Sequence, residues 1–339
     1  MVMRILILGG DGFIGSHLAT ALKKSPLDEV FILDKEDLRS TRNGIAPSHY
    51  IKKEIRNSID VHTVIHKYEP EFIVNCIAVA TPHYYVTNPH DTFDLDFTIN
   101  HEIIKAVQFH CIPFIHFSTS EVYGKKWTGV CKEDTTNLVI GPTHKSRWIY
   151  ATSKILLEQL LLSGEDNNFC IVRPQNFCGW DMDWLPDIST NVDRKWKPRL
   201  PACMLNNLSQ KKPLYVVLPG TQKRCYTHIN DGIDGILSII GNWDECKGQV
   251  FNIGNPLNEV EIVEMASLME DMWNELKEDR EQDIEHISGE KFYGKGYEDC
   301  DRRLFDASKL ARATGWRAKI DLDDTVRLLV KEAIENYPL

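Results

Sequence analysis

Tyr150 and Lys154 stand four residues apart in "RWIYATSK", so on a helix both side chains leave the same face. A free tyrosine titrates near about 10. A neighbouring ammonium favours the phenolate, and a drop of about three units corresponds to roughly 4 kcal/mol of differential stabilisation. A phenolate so placed can take a proton from a hydroxyl while the adjoining carbon gives up hydride. Earlier in the chain, "STSEVYG" (118–124) sets three hydroxyls, Ser118, Thr119 and Ser120, directly before Glu121. One of these hydroxyls can hydrogen-bond the reacting oxygen, and spacing alone does not choose among them. Glu121 follows the apolar run "IPFIHF", which makes it a candidate proton-transfer group at the mouth of a site. The plain alternatives are a solvated loop acid and a surface Tyr/Lys pair.

A third feature changes the weight of the first two. Gly9, Gly12 and Gly15 form G-x-x-G-x-x-G between an apolar run and a helical pattern. Glycines let a backbone turn sharply and approach a pyrophosphate, while the helix N-terminus offers free N–H groups and a positive dipole end. Asp34 closes the next apolar run, 19 residues after Gly15. An acid there accepts hydrogen bonds from ribose hydroxyls and repels a 2′-phosphate, so the spacing favours NAD over NADP.

These residues need a scaffold, and the chain alternates accordingly. "RILILGG" is a short apolar run without helical spacing, and from Phe13 the period changes, with Ile14, Leu18, Ala21 and Leu22 on one face. Further strands are expected at "VFILD" (30–34), "FIVNCIA" (72–78), "PFIHFSTS" (113–120) and "FCIVRP" (169–174), with helices near 95–109 and 148–163 between them. This alternation predicts an α/β fold with a doubly wound parallel sheet of Rossmann type and a smaller C-terminal substrate-binding part. The expected division is 1–175 for the NAD-binding domain. Residues 176–339 are expected to bind substrate mainly, with some segments returning to the first domain. "GWDMDWLPDISTNVDRKWKPR" (179–199) is expected to be a loop-heavy, substrate-facing segment.

Bulk composition narrows the partners. A formal net charge of −10 over 339 residues argues against nucleic acid, whose phosphates need a basic face. Nine cysteines without a C-x-x-C pair are expected to be reduced core residues. No apolar run approaches the roughly 18 residues of a membrane span, so a cytoplasmic protein without membrane contact is expected. No metal centre and no nucleophilic Cys or Ser is expected, the histidines of "PTHKS" and "YTHIN" being lone ones.

Glycine turn, hydroxyls and Tyr/Lys in this order resemble the extended short-chain dehydrogenases/reductases, nucleotide-sugar branch, over nearly the whole chain. "STSEVYG", "GPTHKSRWIYATSK", "TQKRCYTHINDGI", "FNIGNPLNEVEI" and "FYGKGYEDCDRR" closely resemble the UDP-glucuronic acid decarboxylases of aminoarabinose synthesis. The resemblance implies oxidation at C4 of UDP-glucuronate by NAD+, then loss of the carboxylate as CO2 to give UDP-4-keto-pentose. It implies a catalytic set of Tyr150, Lys154, Thr119, Ser120, Glu121 and Arg303, and a cofactor set of Gly9, Gly12, Phe13, Ile14, Gly15, Asp34, Ala80, Tyr150 and Lys154. Tyr85, Asn176, Tyr297 and Arg303 match sugar-nucleotide contacts. The anionic substrate also needs cations, for which Arg199, Lys223 and Arg224 are the candidates. The helices near 95–109 and 148–163 suggest a homodimer, by analogy. "GWDMD" departs from the family's Gly-Pro-Arg and so bears on the shape of that loop and on the sugar accepted. Rival readings are a UDP-xylose synthase that returns the hydride, a UDP-glucuronate 4-epimerase, and, more remotely, a non-catalytic NAD-sensing regulator.

Overall fold

The run Met3–Leu8 forms a strand, β1, whose alternate residues enter two different cores. Ile5 and Ile7 face one helical layer, Leu6 and Leu8 the other, and all four are fully buried. A strand covered on both faces reads as continuous apolar sequence rather than as alternation. The computed structural model describes residues 3–25, 28–38, 46–125, 129–183, 198–277 and 283–336. Within them β2 (Asp28–Asp34), β3 (Tyr50–Lys52), β4 (Phe72–Asn75), β5 (Phe114–Phe117) and β6 (Phe169–Pro174) join β1 in a seven-stranded sheet. The seventh strand is Gln249–Ile253, from late in the chain, which pairs with β6. Across the sheet the order is Gln249–Ile253, β6, β5, β4, β1, β2, β3, and every pair is parallel. This is the Rossmann-type doubly wound sheet that the alternation predicts.

The chain order reverses between β1 and β4, and ligands of such sheets bind in the crevice at the carboxyl ends there. Leu8 is in register with Leu33 on one side and Asn75 on the other, so Gly9, Asp34 and Cys76 leave the sheet together at that point. Helix α1 (Phe13–Leu22) and the helix Ile229–Gly241 cover one face, with Leu18, Ile233 and Ile236 on Ile5, Ile7 and Ile32. On the other face α2 (Ser58–Tyr68) is followed, past β4, by α3 (Pro82–Thr87), α4 (Pro89–Phe93) and α5 (Asn100–Phe109), and then, past β5, by α6 (Ile149–Ser163). Ile103, Val107 and Leu157 anchor that layer on Leu6, Leu8 and Ile73. A third core, with Met204, Leu214, Met265, Met269 and Trp273, supports the far wall of the crevice.

Two expected strands end early, and both endings build the site. "FIVNCIA" stops at Asn75, after which residues 76–81 run along the cleft wall. "PFIHFSTS" stops at Phe117, and Ser120–Tyr123 make a single tight turn whose first N–H, from Glu121, is accepted by the Thr119 hydroxyl at 3.1 Å. Of the segment 179–199, residues 184–197 lie outside the described residues.

Candidate active site

The crevice opens into a cleft of about 610 Å³ running from Gly9 to Arg303. Its floor is the glycine turn. The N–H groups of Gly9 and Gly10 donate to Leu33 O at 2.9 and 3.0 Å, which folds the chain back over β2. Gly9 has φ +71°, a left-handed conformation natural to glycine, and a Cβ on Gly15 would come within 2.7 Å of Gly10 Cα. Gly12, Phe13, Ile14 and Gly15 line the cleft where α1 begins. The Asp34 carboxylate, anchored by the N–H groups of Asp11 at 3.2 Å and Lys35 at 2.8 Å, stands beside this turn. A side-chain-free cradle at a helix N-terminus, with a fixed acid beside it, fits a dinucleotide.

Tyr150 and Lys154 come from the first turns of α6 and are both buried. Tyr150 lines the cleft with the Tyr85 ring stacked on it, 4.9 Å between centroids and 7° from parallel. Lys154 lies deeper, beneath the wall, with its ammonium 3.5 Å from the Asp96 carboxylate. The expectation of a lowered phenol pKa is not met by the chain alone. Burial pushes Tyr150 up, the carboxylates of Asp96 and Glu121 push the same way, and a hydrogen bond with Thr119 pulls it down. A phenolate here therefore needs a further positive charge in the cleft.

The three hydroxyls separate by partner. Ser118 donates to Glu158 and is taken up in a buried network with Arg173. Thr119 serves Tyr150 and the Glu121 N–H. Ser120 Oγ faces the Arg303 guanidinium at 3.5 Å.

Glu121 is not a free acid. Arg147, one turn before Tyr150, donates to both its oxygens at 2.8 and 3.3 Å and packs over the Trp148 ring at 4.4 Å. The other cleft arginines are also held. Arg199 donates to the Asp183 carboxylate from Nη2 at 2.8 Å and from Nε at 3.0 Å, and Arg224 pairs with Asp299. The departing "GWDMD" supplies Asp183, at φ +49°, so this change in the loop places a carboxylate on a cation expected to serve the diphosphate. Arg303 is different. It is buried, its Nε has no hydrogen-bond partner, and among the described residues no carboxylate pairs with it. Its remaining contacts are Ser120 and, at 3.3 Å, the Cys300 sulfur.

Of the expected site residues, Ala80, Tyr85, Asn176, Arg199, Arg224, Tyr297 and Arg303 line the cleft with Tyr150, Thr119, Ser120 and Glu121. Lys223 does not. Strand neighbours point to opposite faces, so Arg224 turns inward while Lys223 turns out and pairs with Glu261 at 3.4 Å. Arg147, Asp96, Asp183 and Asp299 were missed by sequence reasoning. Only Arg147 carried a local signal, lying on the same helical face as Tyr150 at i−3. The histidines hold one further surprise. His62 and His66 are one turn apart on α2, a spacing overlooked in the sequence, and His62 Nδ1 lies 2.9 Å from His110 Nε2. Even so, no group of three or more His, Cys, Asp or Glu among the described residues is arranged to hold a metal ion. None of the nine cysteines is in a disulfide, and no helix among the described residues is long and apolar enough to cross a membrane.

The model of the NAD dependent epimerase/dehydratase family matches residues 5–254. The chain belongs to that family. Its nucleotide cofactor is NAD, in keeping with the glycine cradle and Asp34. The UDP-D-apiose/UDP-D-xylose synthase 1 of Arabidopsis thaliana is 32% identical, over 95% of this chain and 89% of its own length. The UDP-D-apiose/UDP-D-xylose synthase of Oryza sativa subsp. japonica is also 32% identical, over 99% and 90%. Among solved structures, the PbgP3 protein of Burkholderia pseudomallei superposes with a TM-score of 0.81 at 26% identity, covering 99% of this chain and 97% of that one.

Proposed function

We propose that the protein is an NAD-dependent UDP-glucuronic acid decarboxylase that yields UDP-4-keto-pentose. The observation that carries this reading is Arg303, a buried guanidinium among paired cleft arginines that has no carboxylate partner of its own. A substrate bearing a carboxylate supplies the missing anion, whereas a neutral hexose leaves the cation buried and bare. NAD bound on the glycine turn supplies the hydride acceptor. Tyr150 takes the proton of the 4-hydroxyl, and Thr119 hydrogen-bonds the phenolic oxygen through that transfer. The resulting 4-ketone stands β to the carboxylate, so the C5–C6 bond breaks with its electron pair moving into the ketone and CO2 leaving. Ser120 and Arg303, 3.5 Å apart, are the donors that would face the developing enolate, and Glu121, ion-paired on its Arg147 mount, would relay a proton from solvent to C5.

Purified protein incubated with UDP-glucuronate and NAD+ tests this, with absorbance at 340 nm and NMR of the product. CO2 loss with stoichiometric NADH is the expected result. Retention of carbon six on the sugar would refute decarboxylation, and a UDP-galacturonate product would make the enzyme a 4-epimerase. A second reading has support from the printed activity of the two plant relatives, namely return of the hydride to give UDP-xylose. CO2 loss without net NADH is its signature. A homodimer through α5 and α6 belongs to the same proposal. Leu156, Leu160 and Leu162 on α6 and Phe109 at the end of α5 are exposed at 39, 44, 50 and 76%, more apolar surface than a lone helix pair leaves to water. Light scattering at twice the monomer mass, lost in Leu160→Glu, is the expected outcome.

A further inference from the structure

Asp96 does not line the cleft, yet two of its contacts reach the site. Its carboxylate is fully buried 3.5 Å from the equally buried Lys154 ammonium. Both its oxygens also accept the Val79 N–H, at 3.3 Å, and Val79 belongs to the segment that forms the cleft wall after β4. The backbone is built to bring this acid inward. Residues Asp94–Ile99, between α4 and α5, form a wide π-type turn. Such turns shift the register of a helix by one residue and cluster at functional sites. A freed carbonyl in it, Leu95 O, is taken by Asn100 Nδ2 at 2.8 Å, and the same amide reaches Ile77 O at 3.1 Å. The turn and the cleft wall are therefore fastened together around Lys154.

The other groups facing Lys154 cannot act as its counter-ion. Cys76, at the end of β4, is a buried thiol pushed far up by desolvation and stays neutral. His116, on β5, is buried with neither ring nitrogen partnered and is pushed well down, so it stays neutral too. Glu158, one turn further along α6, is engaged by Arg173 and Ser118. Tyr150, one turn back, is pushed up by burial and by the Asp96 carboxylate itself, so Asp96 acts on the phenol directly as well as through Lys154. Asp96 alone forms an ion pair with Lys154 among the described residues.

We propose that Asp96 is a positioning residue for the proton-transfer pair, the counter-ion that keeps Lys154 charged and in place beneath Tyr150. A buried ammonium without an anion sheds its proton. Burial already pulls Lys154 down, and Asp96 is the largest influence opposing that fall. Asp96→Asn keeps the shape and an acceptor for the Val79 N–H but removes the charge.

The test follows Lys154 directly, by NMR of ε-13C-lysine in the NAD-saturated protein, with the resonance assigned by its loss in Lys154→Met. In Asp96→Asn the Lys154 midpoint falls by about one unit or more. The basic limb of kcat/KM on UDP-glucuronate moves to lower pH by the same amount. An unchanged Lys154 midpoint overturns the proposal. So does a lowered midpoint with an unmoved basic limb, since the charge would then be irrelevant to turnover. The kinetic arm rests on the decarboxylase reading, but the lysine titration does not. Absence of turnover by the unaltered enzyme sinks that reading while leaving the ion pair to be judged by NMR. Should Asp96→Asn not fold, the unaltered protein still decides. Its Lys154 resonance must show a second step near pH 6, where burial places the Asp96 carboxyl against the pull of Lys154 and Val79, and a flat response there refutes the pairing.

Discussion

Arg303→Met separates what this residue does for the fold from what it does for a ligand. Arg303 is 3% exposed, and among the described residues its guanidinium bonds to Ser120 and Cys300, with Nε unpartnered. A buried cation so poorly compensated costs the native state free energy, and a methionine of similar length removes that cost. The variant is therefore expected to be as stable as the parent or more so, by about 1 to 2 kcal/mol. Binding runs the other way. A charge-assisted pair between a buried guanidinium and a substrate carboxylate is worth about 3 kcal/mol, or about 150-fold in affinity. Titration calorimetry with three ligands isolates it. UDP-glucuronate weakens by about two orders of magnitude, while UDP and UDP-glucose, which have no sugar carboxylate, change less than about threefold. Equal losses for all three ligands would refute the reasoning, because Arg303 would then be shaping the cleft rather than reading a carboxylate. A marked fall in denaturation midpoint would refute the stability half independently.

Tyr150→Phe should abolish turnover and leave NAD affinity within about threefold, since the ring and its stack on Tyr85 remain while the proton acceptor goes. Arg147→Met leaves the Glu121 carboxylate without its buried partner, so urea denaturation should show a loss of about 3 kcal/mol, largely recovered in the double variant with Glu121→Gln. His228 is a buried histidine whose Nδ1 caps the helix Ile229–Gly241 by accepting the Asn230 N–H, and burial lowers its pKa to about 4. The unfolded chain takes up this proton first as pH falls. Stability present above about 6.5 is thus lost down to about 4, by about 3 kcal/mol from this residue alone. His228→Asn, which retains a capping oxygen, should flatten that part of the stability–pH curve, and an unchanged slope would show that His228 does not carry it.

The parts of this molecule that were legible in sequence are those encoded by short-range periodicity. Met3–Leu8, Phe169–Pro174 and the Ile149–Ser163 helix announced themselves through apolar runs and a change of period, and the glycine turn through its spacing between a strand and a helix, with Asp34 at the end of the next strand. Pairings between distant segments were not legible. Nothing in "GWDMD" says that Asp183 will close on Arg199, sixteen residues away, nor does "GYEDC" say that Asp299 will reach Arg224 from 75 residues off. Lys223 was misplaced for a subtler reason: adjacent strand residues differ only in phase, and phase is set by the partner strands. The upward push on the Tyr150 phenol was not legible, because charge proximity can be guessed from i and i+4, whereas desolvation depends on everything packed around the ring. The π-type turn at Asp94–Ile99 keeps apolar residues on schedule at either end, so its extra residue, and with it Asp96, passes unseen in a helical pattern.

On the proposed function, a chain of net charge −10 must admit an anionic nucleotide sugar, and the paired arginines answer that electrostatic problem. Arg147, Arg199 and Arg224 are each held in a fixed direction by a carboxylate, so the wall keeps its forks ordered without a bare positive field. An anion entering such a cleft meets guanidinium groups that are already oriented, and it competes with an internal carboxylate for each of them. That competition lowers affinity for anions in general and rewards the ligand that presents several charges at the right separations. Arg303 breaks the pattern: its guanidinium faces Ser120 at 3.5 Å, and among the described residues no carboxylate forms an ion pair with it. Among the described residues it is the cleft arginine with no carboxylate in ion-pair range, and it stands next to Ser120. On the proposed function, a substrate carboxylate would gain most there, and after its loss as CO2 the guanidinium would face the negative charge left on the sugar.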